Sequence, residues 1–131
     1  MAEMQVVVVT PEATVLDQSC EYVGVPLIDG EAGILPGHAP MIGRLGAGEL
    51  RVRMGGKDQR FYVESGFVQV DGNLISVLTN KSIPAAQVDL AAAQAALKEA
   101  ESQPGNNAEL SDLRNRAIAK AKAQIKMAEK S

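Results

Sequence analysis

The sequence has few aromatic side chains and a single cysteine. In 131 residues it contains no tryptophan, two phenylalanines and two tyrosines, and its formal net charge is -3. Proteins that bind nucleic acid need basic surfaces, and those that bind single strands also stack bases on aromatic rings. The lone Cys20 excludes an internal disulfide and is expected to be a small buried hydrophobic residue of a protein in a reducing compartment. The composition therefore argues against a nucleic-acid-binding protein and against a disulfide scaffold.

Long hydrophobic runs are also missing. No segment approaches the roughly 18 consecutive apolar residues that span a bilayer. The N-terminal segment carries Glu3 where a signal peptide would be basic, and its apolar run is short. From the sequence we expect a soluble protein that reaches a membrane only through protein partners.

Patterns of catalytic and metal-binding residues are absent as well. His38 is the only histidine, so no second imidazole could share a metal ion with it or activate a serine. Residues 43–46 (Gly-Arg-Leu-Gly) lack the lysine and the serine or threonine of a phosphate-binding loop. We predict no catalytic residue, no metal ligand and no cofactor, and we expect His38 to make a hydrogen bond that fixes a loop or an interface.

The composition changes near Pro84, and residues 1–84 are predicted to form one domain. Eleven of the twelve glycines precede this point. Apolar or alternating segments predict strands at residues 5–9, 19–26, 41–45, 49–53, 59–63, 67–70 and 74–79. Asp71-Gly72-Asn73 is a strong hairpin signal between the last two. Several short, closely spaced strands predict a β-sandwich or barrel.

Residues 85–131 predict a second domain, an antiparallel hairpin of two helices. The break at residues 103–105 (Gln-Pro-Gly) separates the helices, and Asn106 with Glu109 is predicted to cap the second one. The first helix is predicted to present Leu90, Ala93, Leu97 and Ala100 on one face. The second is predicted to present Leu110, Leu113, Ala117, Ala121 and Ile125. Such an alanine-rich seam buries little area per residue, so the hairpin is expected to be only marginally stable.

The last helix is rich in basic residues. They are Arg114, Arg116, Lys120, Lys122, Lys126 and Lys130. Two interpretations stay open: a solvated helix face, or a surface that docks against an acidic partner.

The most informative segment is residues 30–40, Gly-Glu-Ala-Gly-Ile-Leu-Pro-Gly-His-Ala-Pro. Its glycines and prolines predict a rigid loop. The segment resembles the loop G-E-x-G-I-x-P-G-H-A-P of the epsilon subunits of F-type ATP synthases. Further segments resemble this family in the same order: residues 8–12, 48–52, 65–70, 74–78 and 88–89. The resemblance covers nearly the whole chain.

This resemblance implies a flattened sandwich of about ten strands, followed by the helical hairpin. It implies a non-catalytic rotor subunit whose sandwich binds gamma on one side and the ring of c subunits at its base. Glu31, Gly33, Pro36, Gly37 and His38 are then expected together at the end that meets the ring. The protein would lie on the cytoplasmic face of the bacterial inner membrane, held there by partner subunits.

In the family, the hairpin can leave the sandwich and extend along gamma to inhibit ATP hydrolysis. The basic residues expected to meet the catalytic alpha and beta subunits are Arg114, Arg116, Lys120, Lys122 and Lys126. Some members also bind ATP on a first helix that begins I/L-D-x-x-R-A. Here Asp89 matches, but Ala92 and Gln124 stand where arginines are expected, so we predict no strong ATP site. The alternative function is a free-standing β-sandwich adaptor or regulator.

Overall fold

The structure, a computed structural model, describes residues 3–130, except for the side chain of Lys130. The place of Lys130 in the basic set therefore lies outside the described residues. The chain divides into two compact units, Met1–Pro84 and Ala85–Ser131. Among the described residues, no helix is long and apolar enough to cross a membrane.

Eight strands make up the described part of the first unit, and helices make up that of the second. The strands are β1 (Met4–Val9), β2 (Thr14–Cys20), β3 (Tyr22–Leu27), β4 (Gly30–Ile34), β5 (Met41–Arg44), β6 (Gly48–Met54), β7 (Lys57–Asp71) and β8 (Leu74–Pro84). A 3₁₀ turn (Ala85–Gln87) leads to α1 (Leu90–Glu101) and α2 (Ala108–Lys130).

The strands form one mixed sheet that folds over into a sandwich. Their order is β2-β1-β8-β7-β6-β3-β4, and β5 pairs with β7 outside this path. Neighbours are antiparallel, except that β1 runs parallel to β8. The two long strands β7 and β8 pass from one layer into the other, so each layer contains half of both.

The expected number of ten strands is wrong, and β7 shows why. This strand pairs with β6 through residues 57–63 and with β5 through residues 67–70. Between these halves Ser65 and Gly66 have φ angles of 52° and 113°, so the strand bends without ending. The two segments predicted at 59–63 and 67–70 are therefore one continuous strand, and β8 likewise supplies both layers.

The sandwich core is mostly aliphatic, and β1 shows the alternation expected of a strand. Val6 and Val8 on β1 are fully buried while the alternating residues Gln5, Val7 and Val9 are partly exposed, the period of two expected of a strand with one buried face. Cys20 is completely buried in the same cluster, as expected, and burial raises the pKa of its thiol to about 11. A thiol held neutral in this way packs as a small hydrophobic group.

The helical hairpin differs from its prediction in two details. The side chain of Asn107, not Asn106, accepts a hydrogen bond from the Leu110 N–H at 2.8 Å and caps α2. The predicted faces hold for Ala93, Ala100 and Ala121, which are buried. Leu90, Leu97, Leu110 and Ile125 are half-buried, whereas two members of the predicted α2 face, Leu113 (59%) and Ala117, are exposed.

The reason is the position of Arg114, four residues after Leu110 on the helix surface. Its side chain is partly buried and takes the seam position predicted for Leu113. The aliphatic stem of an arginine can cover apolar surface while its guanidinium stays hydrated.

Candidate partner-binding surfaces

The family motif at residues 30–40 is part strand and part loop. Gly30–Ile34 forms β4, which pairs with β3, so the prediction of a loop over the whole segment is wrong. A single turn at Ile28 and Asp29 joins the two strands, and Gly30 follows it with a φ of 131°. Glycine is needed there because other residues rarely adopt this backbone conformation.

Gly33 has a different role from the one expected of a loop glycine. It pairs with Gly24 across β3 and β4, and the ring of Tyr22 lies over both. A Cβ atom on Gly33 would approach the Tyr22 ring to 3.0 Å. The Arg53 guanidinium stands 5.3 Å from the centroid of the same ring. Gly33 therefore provides the space in which an aromatic side chain covers an edge strand.

The true loop, Leu35–Pro40, contains a tight turn. The His38 N–H donates to the Leu35 carbonyl at 3.1 Å, and Gly37 adopts a φ of 86° within the turn that follows Pro36. The His38 Nδ1–H donates to the Ala39 carbonyl at 2.7 Å, the loop-fixing hydrogen bond expected of this residue. Among the described side chains, no group of three His, Cys, Asp or Glu residues could hold a metal ion.

Glu31 and His38 lie toward opposite ends of β4. Glu31 pairs with Pro26 next to the β3–β4 turn, whereas His38 follows the far end of the strand at Ile34. Ile34 lies three residues after Glu31 along the strand, which is about 10 Å. The sandwich end with Glu31 also exposes Ile28 (62%), and the end with His38 exposes Leu35 (58%). Strand β4 therefore lies between Glu31 and the loop that carries His38, and a shared contact of both residues with the ring stays a prediction.

An exposed apolar surface lies on the outer face of the sheet formed by β1, β8, β7 and β5. Phe67 pairs with Leu78, which pairs with Val9, so the three side chains form one cross-strand row. Phe67 and Leu78 are each 52% exposed, and Ile42 on β5 is 72% exposed. We call Val9, Ile42, Phe67 and Leu78 the outer apolar patch.

The patch contains a groove of about 330 Å³ between Val9, Pro11, Phe67 and Leu78. Exposed large apolar side chains that form one row mark a surface for protein contact. The patch was not predicted from the sequence, although large apolar residues at both odd and even positions of 67–70 and 74–78 were its signal.

Charged residues on the neighbouring strands β6 and β7 form hydrogen bonds with one another. The Glu49 carboxylate accepts hydrogen bonds from Arg51 and Arg60, each with a shortest distance of 2.9 Å. Burial raises the pKa of Glu49, but the hydrogen bonds from Arg60 and Arg51 outweigh it, and the pKa is lowered. Arg53 hydrogen-bonds Asp58 at 2.8 Å and lowers the pKa of that carboxyl. These charged residues pair with one another and stabilise the sheet, so they do not indicate a ligand-binding site.

The basic residues predicted on α2 have different surroundings. The Arg114 Nη2 donates to the Glu101 carbonyl of α1 at 3.3 Å, so this residue joins the two helices. Arg116 pairs with Asp112 on its own helix at 3.0 Å and is 71% exposed. Lys120, Lys122 and Lys126 are exposed.

The residue that matched the nucleotide motif has a local role in this structure. The Asp89 carboxylate accepts a hydrogen bond from the Ala92 N–H at 3.1 Å and caps the N-terminus of α1. An N-cap carboxylate satisfies an otherwise unpaired N–H and favours the helix dipole. Its presence is therefore explained without a bound phosphate.

Comparison with known sequences gives matches over both units. The family model described as "ATP synthase, Delta/Epsilon chain, beta-sandwich domain" matches residues 3–85. The ATP synthase epsilon chain of Rhodopirellula baltica is 40% identical over 120 residues, which cover 92% of this chain and 94% of that protein. The ATP synthase epsilon chain of Desulforamulus reducens is 40% identical over 124 residues, 93% and 94% of the two chains.

Comparison with solved structures gives the same fold. A chain in the cryo-EM structure of the Euglena gracilis mitochondrial ATP synthase (OSCP/F1/c-ring) aligns with a TM-score of 0.85 and 20% identity, over 94% of this chain and 79% of that one. A chain of the Tetrahymena thermophila mitochondrial ATP synthase (central stalk/c-ring) aligns with a TM-score of 0.71 and 14% identity, over 95% and 96%. A strand sandwich followed by two helices is therefore an established architecture.

Proposed function

Because this chain belongs to the family of ATP synthase epsilon chains, we propose that it couples rotation of the c ring to the catalytic head through gamma and restrains ATP hydrolysis through its helices. The chain is a non-catalytic subunit of the ATP synthase complex, with a place in its central stalk. The 40% identity over 92% of the chain is the observation that carries this proposal, because it includes both units rather than the sandwich alone. The same match disfavours the free-standing adaptor.

The outer apolar patch is our proposed gamma-binding surface. Phe67, Leu78 and Ile42 are more than half exposed, which costs free energy unless a partner covers them. The neighbouring groove of about 330 Å³ has room for an apolar side chain of that partner. Aromatic and aliphatic anchors that enter pockets at the centre of an interface supply most of its binding energy.

Co-purification from membranes tests this assignment. The tagged chain is expected to retain gamma and the catalytic subunits, while the Phe67→Asp variant is expected to lose gamma at least tenfold, the effect of ~1.4 kcal/mol. Met54→Asp is the matched control, because Met54 is also exposed (37%) but lies outside the patch. Retention of gamma by the Phe67→Asp variant would show that gamma binds a surface other than the outer apolar patch. Failure of the unchanged chain to retain any synthase subunit would contradict the function.

We place the c ring at the sandwich end that carries Glu31. This end exposes Ile28 (62%) next to the carboxylate, a combination of apolar and acidic groups that suits the polar loops of a ring. The remaining motif residues, Pro36, Gly37 and His38, lie at the other end and would form a separate contact.

A cysteine comparison separates the two ends. Glu31→Cys is expected to form a disulfide with a cysteine in the polar loop of the c subunit, and His38→Cys is not. Cross-linking of His38→Cys alone would reverse the placement.

The hairpin is our proposed inhibitory element. Among the described residues of its two helices, the buried ones are Ala93, Ala100, Ala121 and Met127. Three of the four are alanines, which contribute little apolar area, so a small free-energy difference holds α1 and α2 together. The exposed Arg116, Lys120, Lys122 and Lys126 would meet an acidic surface of the catalytic alpha and beta subunits. We place the subunit at the cytoplasmic face of the bacterial inner membrane, held there by gamma and the c ring.

A further inference from the structure

One arginine links the two helices of the hairpin. Arg114 lies in the second turn of α2, and its Nη2 donates to the carbonyl of Glu101, the last residue of α1, at 3.3 Å. The stem of the side chain runs past the connecting segment, where a Cβ on Gly105 would meet the Arg114 Cδ at 3.5 Å. The arginine therefore spans the turn from one helix to the other.

This contact supplies a hydrogen-bond donor to the C-terminus of α1. The last carbonyls of a helix have no partner within the helix, and its C-terminus favours a positive charge. Ser102 and Gln103 donate to the carbonyls of Glu99 and Ala100. The carbonyl of Glu101 is served by Arg114 of the other helix. The last turn of α1 carries Glu99 and Glu101 together with Lys98, and the contact from Arg114 is to the backbone carbonyl.

We propose that Arg114 is a latch that holds the α1–α2 turn closed, and that opening the turn releases its guanidinium. One step rests on the proposed function: the released guanidinium then becomes available to the acidic surface of the catalytic alpha and beta subunits. A guanidinium that donates to the Glu101 carbonyl within the hairpin cannot reach a distant carboxylate at the same time. Closed and inhibitory states therefore compete for the same side chain.

Arg116 provides the matched control. It has the same charge and lies on the same helix, but its partner is Asp112 one turn earlier on α2, at 3.0 Å. Loss of Arg116 removes one charge from α2 without removing a link to α1. A difference between the two arginine variants therefore reports the link and not the net charge.

The test measures the separation of the helices in the full-length chain. Spin labels at the exposed positions Gln94 and Ala119, in a Cys20→Ala background, give the ratio of open to closed hairpin. Arg114→Gln is expected to raise this ratio about two- to fivefold, the effect of an exposed charged contact at a helix terminus. Arg114→Lys is expected to recover part of the closed population, and Arg116→Gln is expected to leave it unchanged.

Equal distance distributions for Arg114→Gln and Arg116→Gln would overturn the latch. ATP hydrolysis by the assembled enzyme tests the proposed function separately. If Arg114→Gln opens the hairpin but an enzyme whose subunit ends at Ala86 hydrolyses ATP no faster than the unchanged enzyme, the latch stands and the inhibitory role of the helices fails. If the hairpin does not open, the latch fails whatever happens to hydrolysis.

Discussion

Replacement of Gly66 by alanine should break the bend that lets β7 serve both layers of the sandwich. A Cβ atom at this position would lie 1.9 Å from the Leu78 carbonyl oxygen and 2.9 Å from the Thr79 Cα. Both atoms belong to the backbone of β8, so no side-chain rotation can relieve the overlap. The φ of 113° is also one that residues with a side chain rarely adopt.

The two effects together give the expected magnitude. A non-glycine residue in a sparsely populated backbone region costs about 1–3 kcal/mol. Separation of β7 from β8 to admit the methyl group adds about 1–3 kcal/mol, as for other overpacked sites. Against a typical free energy of unfolding of about 5–15 kcal/mol, the sum of about 2–6 kcal/mol would leave many molecules unfolded.

The comparison with Gly72→Ala isolates the overlap. Gly72 has a φ of 62°, but a Cβ there would meet no atom within 4 Å. We expect a loss of about 1–2 kcal/mol for this control, the backbone cost alone. Urea unfolding can be followed by tyrosine fluorescence, because both tyrosines lie in the sandwich and the chain has no tryptophan. Equal urea midpoints for the two variants, with unchanged slopes, would refute the reasoning.

Three further predictions concern charge, regulation and nucleotide. The folded-state pKa of Glu49 is lowered, so its stabilising contribution is present above its unfolded pKa of about 4.3 and is lost as pH falls through the folded value. Glu49→Gln should therefore lower the free energy of unfolding by about 1–3 kcal/mol at pH 7 and flatten its decline in acid, as measured by urea titration at several pH values; an unchanged acid profile would contradict this. Deletion of all residues after Ala86 should leave a sandwich that assembles and supports ATP synthesis, and it should raise ATP hydrolysis; unchanged hydrolysis would make the helices a passive appendage. Because Ala92 offers no guanidinium, calorimetry on the isolated chain should find weak ATP binding or none, and a micromolar dissociation constant would show that other residues bind the nucleotide.

The sequence predicted a strand or turn correctly where a local pattern, such as alternation of apolar residues or a turn motif, was sufficient to define it. The alternation of Glu49–Arg53 and the turn signal Asp71-Gly72-Asn73 correspond to β6 and to the β7–β8 turn. The segment 19–26, predicted as one strand, contains a break at Glu21, where β2 ends and β3 starts a new pairing. Hydrophobic pattern alone did not show this break, because both strands bury their apolar residues in the same core.

Tertiary pairing decided the positions that the sequence could not. Gly30–Ile34 has the glycine content of a loop, yet it is a strand because β3 offers a partner and Tyr22 fills the space above Gly33. The outer apolar patch arises from a register that aligns Phe67 with Leu78, and no local pattern contains that register. The Arg114 contact depends likewise on where the hairpin turn places the end of α1.

The two units differ in the property that each proposed task requires. A part that transmits torque must not deform, and Val6, Leu50 and Val63 are completely excluded from solvent in a continuous hydrogen-bonded sheet. Close-packed protein cores resist small displacements. A part that switches needs two states separated by only a few kcal/mol, and a seam whose buried residues are mostly alanines, with an exposed arginine contact, favours such a small difference. Substitutions in the sandwich core should therefore reduce assembly and both directions of catalysis together, whereas substitutions at the hairpin turn should change hydrolysis while assembly stays intact.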